Sequence, residues 1–237
     1  MTSLLNKIIE AHGGKRWSEI KEISATRQFG GALWSLKQVP GIAEQGRFVV
    51  DLTRERTSLE NFGDAGLRTE FTPDRVAILR GDEVIEELAN PRASFDGHVL
   101  ETPWTQLQLA YFTGYAMWTY NTEPWSFTFP GVETEELGTW DENGETWDRL
   151  RVTYPSTLAT HSTSQTLYAD SSGILRRRDY EVNIAGGSPA VEYMTNEVEV
   201  GGVILPADRA IYVRDENGKA LPEPLIVSIH IDDIHVK

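Results

Sequence analysis

The hydrophobic pattern of the chain changes period three times, and each change marks a boundary between kinds of structure. In the first dozen residues Leu4, Leu5, Ile8, Ile9 and His12 recur at helical spacing. Thr2 or Ser3 stands where an N-cap is needed, and Gly13-Gly14 offers a left-handed stop. This predicts a short amphipathic helix lying on a core, with His12 a partly buried, structurally satisfied histidine rather than a ligand. Lys15 to Glu22 carries Trp17 and Ile20 and reads as a second helical turn. From Ile23 the period is two: Phe48, Val50 and Leu52 share one face of a strand, and Val76, Ile78, Val84 and Ile85 flank a hairpin turn at Arg80-Gly81-Asp82-Glu83.

The alternation is interrupted once. From Thr102 to Thr122 there is no Asp, Glu, Lys or Arg, yet Trp104, Leu107, Leu109, Tyr111, Phe112, Tyr115, Met117, Trp118 and Tyr120 fall on every side of a helical wheel. With Thr102 as N-cap and Pro103 in the first turn, the pattern predicts one helix running to about Tyr120. A helix that is apolar all round belongs inside a protein or a membrane. Here Gln106, Gln108, Gly114 and Asn121 dilute it, and Glu101 and Glu123 flank it where a membrane span would carry basic anchors, so no membrane span is expected. The residues before it, Asn90 to Glu101, form a long irregular connection that could carry function or merely tether the helix.

After the helix the turns can be read directly. Asp141-Glu142-Asn143-Gly144, Asp170-Ser171-Ser172-Gly173, Gly186-Gly187, Gly201-Gly202 and Asp215-Glu216-Asn217-Gly218 separate strands at Val132 to Trp140, Glu145 to Tyr154, Gln165 to Ala169, Ile174 to Ile184, Ala190 to Val200, Val203 to Arg214 and Ile226 to Val236. Long strands joined by tight turns make an antiparallel meander that curves strongly, and a curved sheet with an apolar inner face needs a plug. The expected class is mainly β (α+β): a single domain over residues 1–237, a large curved antiparallel sheet or unclosed β-barrel around a buried aromatic helix, with a short N-terminal helix.

Composition narrows the functions this fold could serve. The formal charge of -14 opposes polyphosphate, so nucleic acid is not an expected partner, and Arg176-Arg177-Arg178 is the one basic cluster. The cluster of Glu133, Glu135 and Glu136 beside Asp141 and Glu142 reads as a solvated face. With no cysteine, and no basic region followed by an apolar run at the start, a cytoplasmic location is the expectation. No phosphate loop, dinucleotide fingerprint or nucleophile elbow occurs; His230 and Asp232 share a strand face, but His235 has the opposite parity and no third ligand is evident, so neither a cofactor nor a metal is expected. Nothing in the pattern fixes the oligomeric state.

Several motifs carry a resemblance. Ala11-His12-Gly13-Gly14 before Trp17, Tyr111-Phe112-x-Gly114-Tyr115-Ala116-x-Trp118, Asn143-Gly144-Glu145-x-Trp147, Thr160-His161-Ser162 and Asp179-Tyr180 resemble the bacterial lipoprotein-carrier (LolA-like) superfamily, and within it a bacterial group lacking an export signal. The resemblance implies an unclosed barrel with helices on its concave side, enclosing an apolar cavity for acyl chains. The carriers themselves are exported, so the apolar cavity is implied here and lipoprotein transport is not.

Candidate site residues follow from the alternation. On the strand from Ile174 to Ile184, Arg176, Arg178 and Tyr180 share the face of Ile174, Val182 and Ile184, and Arg209 stands likewise among Leu205, Ala207 and Ile211. Such arginines must pair with carboxylates, reach solvent at the strand ends, or meet an anionic or carbonyl-bearing ligand. The expected ligand-binding set is Trp104, Tyr111, Tyr115, Trp118, Arg176, Arg178, Met194 and Arg209. Together they suggest binding of a hydrophobic small molecule, lipid-, polyketide- or terpenoid-like, in the concave cavity. The alternative is a cofactor-independent isomerase, cyclase or lyase in which His161 transfers a proton with Tyr180; in a third reading the helix fills the cavity and the protein is a structural module.

Overall fold

The structure is a computed structural model and describes residues 3–43 and 45–237. The first helix, α1 (Leu4–Ala11), is capped by the Ser3 side chain, which accepts from the Asn6 amide, while Thr2 lies outside the described residues. A 3-10 turn over Gly14–Glu19 carries Trp17 into the core. The indole Nε1 donates to the His12 carbonyl at 2.8 Å, which requires the chain to fold back sharply between them. Gly13 makes that reversal at φ 118°, and a Cβ there would lie 2.4 Å from the Gly202 carbonyl oxygen. His12 is buried and its Nδ1 meets the Ile8 carbonyl at 2.8 Å, a structural role as expected.

The strands are β1 (Glu22–Gly30), β2 (Gly46–Asp51), β3 (Arg56–Leu59), β4 (Leu67–Thr72), β5 (Arg75–Arg80), β6 (Glu83–Ala89), β7 (Glu133–Glu142), β8 (Glu145–Thr153), β9 (Ser164–Ala169), β10 (Leu175–Val182), β11 (Ser188–Val200), β12 (Val203–Val213) and β13 (Val227–Val236). They form one antiparallel sheet in the order β6-β5-β4-β3-β2-β1-β13-β12-β11-β10-β9-β8-β7. Among the described residues β6 and β7 remain its two edges, so the curved sheet is an unclosed barrel. Both edges are rich in glutamate, which keeps further strands from adding to them. Two short elements had no clear sequence signal: the helix α2 (Leu33–Leu36) and the small strand β3.

The interruption between the edges holds the buried helix α3 (Gln106–Thr122). Its start differs from the expectation at Thr102. The N-cap is Thr105, in a capping box with Gln108, and the helix runs past Tyr120 to Thr122. Thr102 is committed elsewhere: its hydroxyl accepts from the Val99 amide at 3.0 Å and its carbonyl from Lys37 Nζ at 3.1 Å. Residues 98–104 are therefore a strap leading to the helix. Every residue from Gln108 to Thr122 is buried, which explains the absence of charge.

Packing around α3 is uneven. On one limb it lies against β2, β3, β4 and β5 so closely that Gly114 touches Phe71 of β4, where a Cβ would sit 2.4 Å from the Phe71 ring. The other limb, β10 to β13, leaves cavities against the same helix. A second, smaller core under α1 gathers Leu4, Ile8, Leu150, Leu167 and Met194.

The close approach gives a test. In an isolated helix Gly→Ala adds about 1 kcal/mol of stability, whereas forced overpacking costs about 1–3 kcal/mol. Gly114→Ala is expected to lower the melting temperature, and a temperature equal to or above that of the unsubstituted protein contradicts the contact.

Candidate functional site

A helix whose C-terminal turns are fully buried cannot satisfy its last carbonyls with water. Two arginines of the sheet meet this end. Arg209 Nη2 donates to the Tyr120 carbonyl at 2.6 Å, and Arg178 pairs with Glu123, the C-cap residue. Glu192 bridges them, 3.3 Å from Arg178 Nε and paired through Oε1 with Arg209 Nη1. Tyr154 donates to Glu123 at 2.9 Å. Two carboxylates and two guanidiniums thus close a buried, charge-balanced network at the negative end of the helix dipole. Burial pushes the Glu123 carboxyl above the usual carboxylate range despite the Arg178 charge. Desolvation works against the Arg178 cation, but Glu123 and Glu192 outweigh it and hold that guanidinium above its ordinary value.

The arginines therefore meet carboxylates, one of the outcomes the alternation allowed. Arg176 does not share their face. Leu175 pairs with Ala169 and Arg177 with Tyr168, so two residues of β10 stand against one of β9. This bulge flips the parity: Leu175, Arg178 and Tyr180 point inward, while Arg176 bonds Asp170 at 2.7 Å and pairs with Glu197 on the outside. Arg177 also points outward, yet it is fully buried by Trp140, Tyr168 and Tyr193 and pairs with Glu142 at 2.7 Å. Glu142 is consequently buried and does not belong to the solvated acidic face. Glu136 is also specifically bonded, accepting from the Leu4 amide at 2.7 Å at the start of α1.

His161 lies beside the ionic network, 1% exposed. Nδ1 is 3.1 Å from the Tyr115 hydroxyl and Nε2 2.9 Å from the Tyr120 hydroxyl, which is itself 3.1 Å from the Tyr180 hydroxyl. The imidazole stacks on the Tyr180 ring with centroids 4.4 Å apart. Burial first, then the Arg178 and Arg92 charges, drives its pKa well below the ordinary value, so the ring is neutral at pH 7. Desolvation lifts the tyrosines well above or above theirs. A neutral imidazole donates from one nitrogen and accepts at the other, so this row of hydroxyls can run its hydrogen bonds in either direction.

Two apolar cavities flank the network, of about 50 Å³ and about 20 Å³. Phe112, Tyr180, Ile211 and Val227 line both, so they adjoin between α3 and the β10 to β13 limb. The larger is closed by Leu100 and Trp104 of the strap. Lys37 fastens that strap: Nζ reaches the Val99 carbonyl at 3.3 Å and the Thr102 carbonyl at 3.1 Å, and stands 4.4 Å over the Trp104 ring. Desolvation lowers the lysine to about 8.

Of the residues singled out from sequence, Trp104 and Tyr180 line the apolar cavities, while Tyr115 and His161 lie behind Tyr180 in the hydroxyl row. Tyr111 faces a separate polar cleft. Trp118 is tied to the Asp51 and Arg54 carbonyls at 2.9 and 3.0 Å, and Met194 belongs to the second core. Sequence reasoning missed Phe112, Ile211 and Val227 as lining residues, although the aromatic helix and strand alternation placed the first two inside. Among the described residues no three His, Asp or Glu side chains converge as a metal site requires, and His230 instead meets Asp208 at 2.6 Å. No helix is long and apolar enough to cross a membrane among those residues.

Removing one member of a buried ion network leaves an uncompensated charge and costs about 3–5 kcal/mol. Arg178→Met is expected to lose that much in urea unfolding. Arg176→Met, half-exposed outside the bulge, should lose no more than about 1 kcal/mol. Equal losses would contradict the parity change.

The sequence matches no protein-family model and no curated protein. The structure is similar to a LolA superfamily protein from Nitrosomonas europaea, at 11% identity and a TM-score of 0.52, covering 99% of this chain and 92% of that one. It is also similar to a domain from Vibrio parahaemolyticus assigned as an outer membrane lipoprotein-sorting protein, at 11% identity and a TM-score of 0.54, covering 99% and 91%. The chain therefore has a LolA-like fold: an unclosed antiparallel barrel wrapped around a buried helix.

Proposed function

We propose that the protein binds a hydrophobic small molecule, lipid-, polyketide- or terpenoid-like, between α3 and the β10 to β13 limb. The observation that carries this reading is the pair of adjoining apolar cavities on the loosely packed side of a helix that is tightly packed on the other. A dry cavity of about 150 Å³ is enough to hold benzene, so the present voids are the closed form of a site that must enlarge. The element to move is the strap, since it contributes Leu100 and Trp104 and is fastened through Lys37, whereas α3 is sealed at both ends. The lipoprotein-sorting assignment of the similar Vibrio domain supports an acyl-bearing ligand class.

Chemistry is the second reading, favoured by one observation. Tyr180 lines both cavities, and its hydroxyl connects through Tyr120 to His161, so a proton given up by Tyr180 could be replaced along the row. His161 has both nitrogens engaged by tyrosine hydroxyls, which favours the binding reading.

Ala190 faces the larger cavity, and leucine there would fill it without adding a polar group. The unsubstituted protein should bind N-phenyl-1-naphthylamine saturably and carry an apolar molecule in native mass spectrometry. Ala190→Leu should weaken dye binding about tenfold or more with the melting temperature kept. Full binding by Ala190→Leu, or no apolar binding by either protein, sinks the proposal. A new product from the bound molecule on incubation would favour the catalytic reading.

A further inference from the structure

The two limbs of the sheet do not meet, and a cleft of about 660 Å³ opens between the β4 to β5 turn and the residues after β6 on one side and the β8 to β9 loop on the other. It is distinct from the apolar cavities. Its lining mixes the Tyr111 ring, Leu158 and Pro155 with the polar groups of Asp74, Arg92 and Thr160.

Arg92 is the notable group. It lies in the 3-10 turn Pro91–Phe95, half-buried, with Nη1 donating across the cleft to the Thr160 carbonyl at 3.0 Å. In a chain this acidic most arginines find a carboxylate within 4.0 Å, as Arg176, Arg178 and Arg209 do. Among the described residues Arg92 has none within that distance.

Glu55 lies next to the same wall. It is 7% exposed, and its Oε2 accepts from the amide of Ala159, a lining residue, at 2.9 Å. Its Oε1 has no hydrogen-bond partner among the described residues. Burial raises this carboxyl to about 8, against the pull of the Arg92 charge, so at pH 7 it is a neutral group that leaves the guanidinium uncompensated. Asp74 is exposed at the rim, where water screens it.

We infer that this cleft is a second binding site, for the carboxylate of a small organic acid, with Arg92 as the anchor and the Tyr111 ring and Leu158 receiving the apolar body. A guanidinium suits the charge and planarity of a carboxylate, and its fixed fork gives such a pair geometric specificity. The Thr160 contact occupies one nitrogen and holds the group across the opening. The site does not depend on the apolar cavities or on their proposed ligand.

Benzoate is the probe, and inorganic phosphate is the comparison that separates an organic acid from a bare oxyanion. Titration of ¹⁵N-labelled protein should shift the Arg92 Nε–Hε signal saturably with benzoate and weakly or not at all with phosphate. Arg92→Gln should weaken benzoate binding about tenfold or more, the loss expected when a charge-assisted pair is removed. Arg92→Lys keeps the charge and the reach to Thr160 but lacks the fork, so it should bind several-fold more weakly; it serves as the test if Arg92→Gln does not fold. No saturable shift with benzoate, tighter binding of phosphate than benzoate, or unchanged affinity in the folded variants would overturn the assignment.

Discussion

The structure depends on sealing the ends of a helix that is buried along nearly all of its length. A surface helix leaves its terminal amides and carbonyls to solvent, but α3 is buried from Gln108 to Thr122 and must be capped from within the protein. At its start the Thr105 and Gln108 box does this locally, and Gln108 reaches on to the Ser94 carbonyl at 2.8 Å. At its end the sheet supplies Arg178 and Arg209, and two arginines in a core in turn require Glu123 and Glu192. Both guanidinium carbons stand 4.7 Å from the Tyr120 ring, whose hydroxyl leads to His161 and Tyr180. The ionic network and the hydroxyl row are thus one continuous arrangement set by the helix terminus.

That arrangement divides the interior into a fixed side and a yielding side. Against β2 to β5 the helix packs at glycine distance, and its C-terminal end is held by ionic bonds. Against β10 to β13, beyond the ionic network and the Tyr120 and Tyr180 hydroxyls, the contacts are apolar, incompletely filled, and closed by a strap held by Lys37, a few backbone bonds and the packing of Trp104 on Phe95 and Phe112. A LolA-like fold accommodates this because an unclosed sheet need not be packed equally around its circumference. At the seam that this openness leaves, Arg92 has no carboxylate within 4.0 Å among the described residues.

Much of this was legible in the sequence, for identifiable reasons. The charge-free stretch announced a buried helix, and the glycine-bearing turns after it delimited the strands from β7 to β13 to within a few residues. The start of α3 was misread because Thr102-Pro103 has the chemistry of a helix start, and only the tertiary contact with Lys37 removes Thr102 from that role. Alternation placed Arg178 and Arg209 inside correctly. It failed at Arg176 because a bulge adds a residue without leaving a distinctive mark in this sequence. The partner carboxylates were hidden for another reason: Glu192 stands opposite Arg178 only once the β10 to β11 register is known, and Glu123 looked like a flanking charge. Arg92 and Glu55 are far apart in sequence and come near each other only at the seam.

Hydrogen exchange across a denaturant series addresses the fixed helix and yielding strap together. The account predicts that core amides of α3, such as Thr113 to Trp118, exchange only through global unfolding, with the full denaturant dependence. The Val99 and Trp104 amides, bonded to Thr102 and Lys37, should open at a distinctly lower free energy. Sub-global opening of α3 while the strap stays protected would contradict the account.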